Sequence, residues 1–344
     1  MTVRVLDLFC GGGGSSLGAF RAGAKIVLGV DAWGRAVESY RANFRCRAVH
    51  FEMTPDTVPA DLGLERGRID LLLASPECTN HTCAKGSAER SEASKLTAHY
   101  VLNFTRDLQP RWVVIENVIH MKTWVGYGPL LEGLDALGYG VRIEDIDSAM
   151  FGVPQTRRRL FLLCEKGRQP APVPRPSIAP VAAWKILDYD PISGIDPWPS
   201  TELENGKRAE ATLKRFYRGV EVLGPGVPFL IVYYGSDGSG GWQSLDRPLR
   251  TITTLDRFGL VTWRDQKPWL RMLQPGELMR AMGIQASDNF HFTGNRREQI
   301  MQIGNGVAPP VMEAIVRHLT KVKAKTKRKA VQRLSTRART GVIA

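Results

Sequence analysis

Residues 3–20, VRVLDLFCGGGGSSLGAF, confine this chain more than any other stretch. An apolar strand-like run stops at four consecutive glycines, and helix-like sequence follows directly. Glycines let the backbone turn sharply and let a ligand approach it, while the N–H groups of a following helix point into the turn. A strand, a glycine turn and a helix in that order direct a chain toward a layered α/β fold. The rhythm continues downstream. KIVLGVD predicts a second strand, and AWGRAVESYRANF a helix with its spacing at Ala36, Tyr40 and Asn43. IDLLLAS predicts a buried strand, VLNFTRDLQP a helix ending before Pro110, and RWVVIENV another strand. GPLLEGLDALGYG predicts a helix closed by glycines, and RRRLFLLCEKG a further strand. Strands separated by helices predict a doubly wound, mostly parallel sheet.

The rhythm breaks near Gly167, where RQPAPVPRPSIAPVAAW is too rich in proline to continue a sheet. From there to about residue 295 come tryptophans, glycines and short strand-like pieces such as PFLIVYYG and PLRTITTL. These predict a smaller, irregular, β-containing second domain. REQIMQIGNGVAPPVMEAIVRHL then returns to a loop and an amphipathic helix. The expected boundaries are 1–167 for the large domain, 168–295 for the small one, 296–320 for a return segment that completes the first, and 321–344 for a basic tail expected to be disordered. There is no internal repeat.

The formal net charge is +13, and Lys321 to Arg339 contains nine Lys or Arg and no acid. Such a run is a solvated end when free and is equally able to rest on a phosphate backbone. Charge of this kind says polyanion without saying which one. The opening MTVRVLDLFC carries no secretory pattern, and no apolar run approaches the roughly 20 residues needed to cross a bilayer. The five cysteines are odd in number and scattered, which argues against a disulfide framework. A soluble protein of the reducing cytoplasm is expected.

The glycine turn departs from the dinucleotide fingerprint, because Ser16 stands where a third glycine would fall after Gly11 and Gly13. The second strand ends in Asp31, eighteen residues beyond Gly13, where a carboxylate can accept both ribose hydroxyls. Trp33 follows, either to stack on an adenine or to fill the core. Together these features favour an adenosine-bearing cofactor without identifying it. Cys78 stands just outside the buried IDLLLAS strand, at the mouth of a polar loop, where doubly wound folds place ligands. A nucleophile and a structural thiol are both open readings. Cys78, His81 and Cys83 lack a second cluster of zinc-type spacing, so no metal is expected. Glu116 and Asn117 end another strand on the same edge. Gln155, Arg157 and Arg159 alternate, which projects the two arginines to one face of a strand.

In order along the chain, DLFCGGGG, PEC, ENV, QTRRR and GNGVAPPV resemble the ordered motifs of the DNA cytosine-5 methyltransferases. LDRPLRTITT and RMLQPGELMRAMGI resemble two further blocks of that family. The likeness runs from about Leu6 to Leu319 and leaves 169–240 and the tail unmatched. It implies a Rossmann-like methyltransferase fold, S-adenosylmethionine as cofactor and cytosine in double-stranded DNA as substrate. It implies that Cys78 adds to C6 of the ring, that Glu116 protonates or hydrogen-bonds N3, and that Arg159 holds O2. Arg157 and Gln155 would organise the same pocket, with Asn117 beside the substrate. For the cofactor it implies Phe9, Gly11, Gly13, Asp31, Trp33, Asn305 and Val307, with Glu52 and Met53 at the adenine edge. The family usually has aspartate where Glu52 stands. A base inside a duplex cannot reach such a site, so the target would be flipped out, and residues 78–96 would form a lid hinged at Gly86.

One departure is local. The family normally has proline directly before its nucleophile, and here Glu77 stands there. A carboxylate close to a thiol raises its pKa and slows attack, unless the two side chains point apart. Two other readings of the whole chain stay open: an RNA cytosine-5 methyltransferase on the same framework, and an inactive DNA-binding homologue. A monomer is expected, with a cognate restriction endonuclease as a candidate partner. The recognition sequence cannot be read from the middle segment, whose base-edge contacts follow no transferable code.

Overall fold

The computed structural model describes residues 2–76, 92–204, 206–234 and 240–321, apart from the side chains of residues 92–99. Its larger part alternates β1 (Arg4–Leu8), α1 (Gly14–Arg21), β2 (Lys25–Asp31), α2 (Gly34–Asn43), β3 (Arg47–His50) and β4 (Leu71–Ala74). Then come α3 (Glu92–Leu108), β5 (Trp112–Asn117), α4 (Tyr127–Ala136), β6 (Tyr139–Asp147) and β7 (Arg158–Lys166). The seven strands lie in the order β3-β2-β1-β4-β5-β7-β6. The first five pair in parallel, whereas β7 runs antiparallel to both β5 and β6. The expected mostly parallel, doubly wound sheet is present. The antiparallel hairpin at its edge was not anticipated.

Period-two alternation along the strands explains why both faces are covered. Leu71 and Leu73 join a core beneath α1, whereas Leu72 between them joins the opposite core with Tyr100, Phe104, Leu130 and Leu134 from α3 and α4. β5 is buried at all six positions, as a strand with neighbours on both sides and helices on both faces must be. Each fully buried leucine contributes roughly 2 kcal/mol of transfer free energy. β6 escaped the sequence reading for the opposite reason. Most of its residues are only partly buried and several are charged, since it forms the sheet's edge.

The middle of the chain is more regular than its sequence suggested. β8 (Thr201–Glu202), α5 (Glu210–Leu223), β9 (Phe229–Val232), β10 (Trp242–Ser244), β11 (Phe258–Arg264) and β12 (Lys267–Met272) include a five-stranded antiparallel sheet, ordered β10-β9-β11-β12-β8. Helix α5 covers one face, with Phe216 stacked on Phe229 at 6.1 Å between ring centroids. PFLIVYYG supplies β9 as expected. PLRTITTL forms no strand of this sheet. It runs extended across the large domain instead, with Leu249 bridged to Gln155.

The chain returns through α6 (Pro275–Ala281), α7 (Arg296–Asn305) and α8 (Pro309–Thr320). A Cβ on Gly14 or Gly18 would run into the carbonyl oxygens of Val307 or Pro309, so these glycines let α1 and α8 lie backbone against backbone. Core residues of the α1 side also come from Val173, Ala183, Ile186 and Tyr189 before the small sheet, and from Leu278 to Phe292 after it. A buried ionic cluster fastens the junction. Arg271, at the end of β12, contacts Asp196 at 2.6 Å and Glu277 of α6 at 2.8 Å, with all three side chains at most 2% exposed. Among the described residues no helix is long and apolar enough to cross a membrane.

Candidate active site

The carboxyl ends of β1, β2, β4 and β5 lie on one edge of the sheet because these strands are parallel, and Phe9, Gly11, Asp31, Glu116 and Asn117 stand at those ends. The chain leaves β1 through Phe9 at φ 55° and Gly11 at φ 51°, then enters α1 after Gly13 at φ 104°. Nothing lies within 4 Å of where a Cβ of Gly11 would sit, so this side of the turn is open. Asp31 braces the turn, one oxygen accepting from the Gly11 N–H at 2.8 Å and the other from the Trp33 N–H at 2.8 Å. Burial pushes its carboxyl above the ordinary aspartate range, against the pull of those two amides. Each oxygen keeps a lone pair for a hydroxyl.

Trp33 is half-buried at the start of α2, and Glu52 is exposed beyond β3. Asn305 is exposed at the end of α7, and the Val307 carbonyl lies against Gly14. Met53 is different: it is 9% exposed and packs into the core on the α3 side. The open glycine turn, the start of α1 and the Asp31 carboxylate fit an adenosine-bearing cofactor such as S-adenosylmethionine.

Beneath the turn is a group the sequence reading missed. Asp7 in β1 is fully buried and accepts from Ser16 Oγ at 2.7 Å, and Ser16 Oγ in turn lies 2.5 Å from Tyr40 Oη. Its signal was present in the sequence: a carboxylate inside an apolar strand, beside a serine at the non-glycine position of the turn.

At the end of β5, Glu116 is 6% exposed and its Oε1 lies 3.3 Å from Arg159 Nε. Burial pushes its carboxyl above the usual glutamate range, opposed by the positive charges of Arg159 and Arg157 and by a hydrogen bond from Ser75. A carboxyl held in this way is able to carry a proton that it can donate. The register explains the meeting. Glu116 pairs with Phe161 across the β5–β7 ladder, and Arg159, two residues before Phe161 in β7, projects from the same face of the sheet.

Asn117 donates from Nδ2 to the Pro76 carbonyl at 3.2 Å and accepts from the Val118 N–H at 2.8 Å. Both of its polar ends are thereby engaged by the backbone at the exit of β4 and β5. Gln155 is fully buried, donating to the Ala281 carbonyl and accepting from the Ile252 N–H at 2.9 Å. Arg157, 1% exposed, donates to the carbonyls of Ile252 at 2.9 Å, Gly304 at 2.7 Å and Gly306 at 2.9 Å. These two residues tie the segment entering β7 to the extended segment, to α6 and to the end of α7. Glu77 and Cys78, with His81, Cys83 and Gly86, lie outside the described residues. Ser75 and Pro76, which lead directly to them, sit against Glu116 and Asn117. Among the described residues Cys10, Cys46 and Cys164 are free, and no cluster of His, Cys, Asp and Glu is placed to hold a metal ion.

The family model for C-5 cytosine-specific DNA methylase matches residues 3–216 and 233–321. It therefore extends well into the 169–240 stretch that the sequence motifs left unmatched. Type II methyltransferase M1.HphI of Haemophilus parahaemolyticus is 26% identical over 345 residues, covering 94% of this chain and 88% of that enzyme. Type II methyltransferase M.AgeI of Thalassovita gelatinovora is 28% identical over 182 residues, 51% of this chain but only 42% of that enzyme's length. A tRNA (cytosine(38)-C(5))-methyltransferase of Rattus norvegicus is 26% identical over 213 residues, 60% of this chain and 51% of that protein. The solved structure of the S. pombe Dnmt2 methyltransferase has the same fold, with a TM-score of 0.66, 16% identity and coverage of 93% of this chain and 98% of that one.

Proposed function

The chain belongs to the C-5 cytosine-specific DNA methylase family, and from that premise we propose that it methylates C5 of a cytosine flipped out of double-stranded DNA. The observation that carries this reading is the Glu116–Arg159 pair at the carboxyl ends of the strands, with Glu116 buried and hydrogen-bonded by Ser75, three residues before Cys78. S-adenosylmethionine, held by the open glycine turn, Asp31 and the Trp33, Glu52 and Asn305 surface, would supply an electrophilic methyl group.

Cytosine C5 is too weak a nucleophile to act unaided. Addition of the Cys78 thiolate at C6 makes the ring an enamine whose C5 is nucleophilic. Glu116 hydrogen-bonds or protonates N3, which takes up the charge pushed into the ring, and its burial keeps that proton available. Arg159 faces Glu116 and holds O2, its positive charge matched to the oxygen on which negative charge gathers. Loss of the C5 proton after methylation expels the sulfur. Arg157 and Gln155 act by holding the pocket wall in place, and Asn117 by holding Pro76 and so the entry to the Cys78 loop. Glu77 is a tolerated departure if its side chain faces away from the thiol.

The tRNA-methylating relative supports a second reading, with RNA as substrate. Incorporation of labelled methyl into duplex DNA and into tRNA separates the two, and bisulfite sequencing of DNA from expressing cells gives the modified site. Cys78→Ala should abolish methyl transfer while duplex binding persists. An active Cys78→Ala enzyme would end the covalent mechanism. The Type II relatives make a cognate restriction endonuclease the partner to test, for a chain we expect to act as a cytoplasmic monomer.

A further inference from the structure

A cleft of about 400 Å³ lies between the Thr254–Arg257 turn and the first turns of α7. Its apolar lining is the buried Ile300 and the exposed Leu255, and Arg257, Arg296 and Arg297 line it as well. The three cations are not equivalent. Arg296 is committed: it pairs with Asp256 at 2.7 Å and donates to Gln274 Oε1 and to the Leu273 carbonyl. That pair cancels the one acid of the cleft. Arg257 gives one N–H to the Tyr233 carbonyl at 2.9 Å. Arg297 is exposed and makes no hydrogen bond or ion pair among the described residues. The cleft is thus left with an uncompensated positive charge beside apolar side chains.

Its position is fixed by the site already described. Arg157 holds the carbonyls of Ile252 and Gly304, and a Cβ on Gly304 would collide with the Thr253 carbonyl, so the turn is clamped to the end of α7. Thr254 follows Ile252 by two residues, at most about 7 Å of chain. The Arg157 charge also acts on the Glu116 carboxyl, so the clamp joins the turn of the cleft to the Glu116–Arg159 pair.

We infer that the cleft takes a sugar–phosphate unit of the DNA strand that carries the flipped base, with Arg297 as the group that contacts the phosphate. The inference rests on the proposed DNA substrate. It also predicts a contact indifferent to sequence, because a phosphate contact positions a duplex without reading it.

The test is the salt dependence of duplex binding by the full chain. Each phosphate neutralised contributes about 0.9 to the slope of log K against log salt. Arg297→Ala should lower that slope by about one and weaken cognate and random duplexes by the same factor, with Arg297→Lys restoring it. Lys25→Ala, an exposed charge at the amino end of β2, controls for net charge. A wild-type chain that binds and methylates duplex DNA, with Arg297→Ala no different in slope from Lys25→Ala, would sink the inference and leave the proposed function standing. A wild-type chain that binds no duplex removes both. Competition by inorganic phosphate at low millimolar concentration, lost in Arg297→Ala without a change in slope, would assign the cleft to a free anion and overturn the strand contact.

Discussion

Asp7 offers the clearest quantitative handle on this fold. It lies inside β1 with no exposure, one oxygen accepts from Ser16, and the other finds no partner among the described residues. Burial, reinforced by the charge of Asp31, raises its carboxyl from 3.8 to about 7, although the Ser16 hydrogen bond works against the rise. A carboxyl whose folded-state pKa exceeds its unfolded value binds its proton more tightly when native. Its contribution to stability is therefore fully present below about pH 4 and is lost as pH rises through 7. The full loss is about 4 kcal/mol, and about 2.5 kcal/mol of it falls between pH 5 and pH 8. Asp7→Asn keeps the shape and an oxygen to accept from Ser16 but carries no charge at any pH. Urea unfolding of both proteins at pH 5 and pH 8 isolates the term, because titrating groups that do not interact with Asp7 cancel in the difference. Asp7→Asn should gain about 2.5 kcal/mol on the wild type across that interval. An equal difference at the two pH values would refute the assignment of a raised pKa to this buried carboxyl.

Two further outcomes follow from the site. Glu116→Gln keeps a hydrogen-bond donor but no transferable proton, so kcat should fall by roughly 10²–10⁴. Because the Glu116 carboxyl is raised and acts protonated, activity should decline as pH climbs through its pKa, and single-turnover pH profiles should lose that limb in the variant. An unchanged profile would deny Glu116 the acid role. Arg157→Ala leaves three backbone carbonyls without their donor and should lower stability by roughly 3–5 kcal/mol in urea unfolding. Arg157→Lys should rescue little, since one ammonium cannot reproduce the planar fork. A variant as stable as the wild type would show that the clamp is dispensable.

The parallel heart of the sheet was legible because its strands are buried on both sides and read as unbroken apolar runs between glycines and prolines. The edge strand β6 was not, because YGVRIEDID is charged and half-exposed and its pairing with β7 is visible only in three dimensions. PLRTITTL has the composition of a strand, yet its backbone partners lie across the chain at Gln155 and Thr156, which no local pattern reveals. The charged residues proposed for the site could be named from type and order alone. Their individual postures could not: Gln155 and Arg157 alternate with Arg159 in sequence, but the first two are fully buried, whereas the Arg159 side chain is 17% exposed beside Glu116. Met53 shows the same limit, since a residue next to an exposed glutamate turned inward to the core.

The contact of Gly14 and Gly18 with Val307 and Pro309 has a consequence for how the molecule is made. The glycine turn is completed by a loop about 290 residues further along the sequence, and the Arg317 guanidinium on α8 also reaches back to the Arg21 carbonyl at 2.8 Å. At the usual pace of translation these partners emerge on the order of tens of seconds apart. A nascent chain would carry an unfinished glycine turn until the α8 segment has emerged.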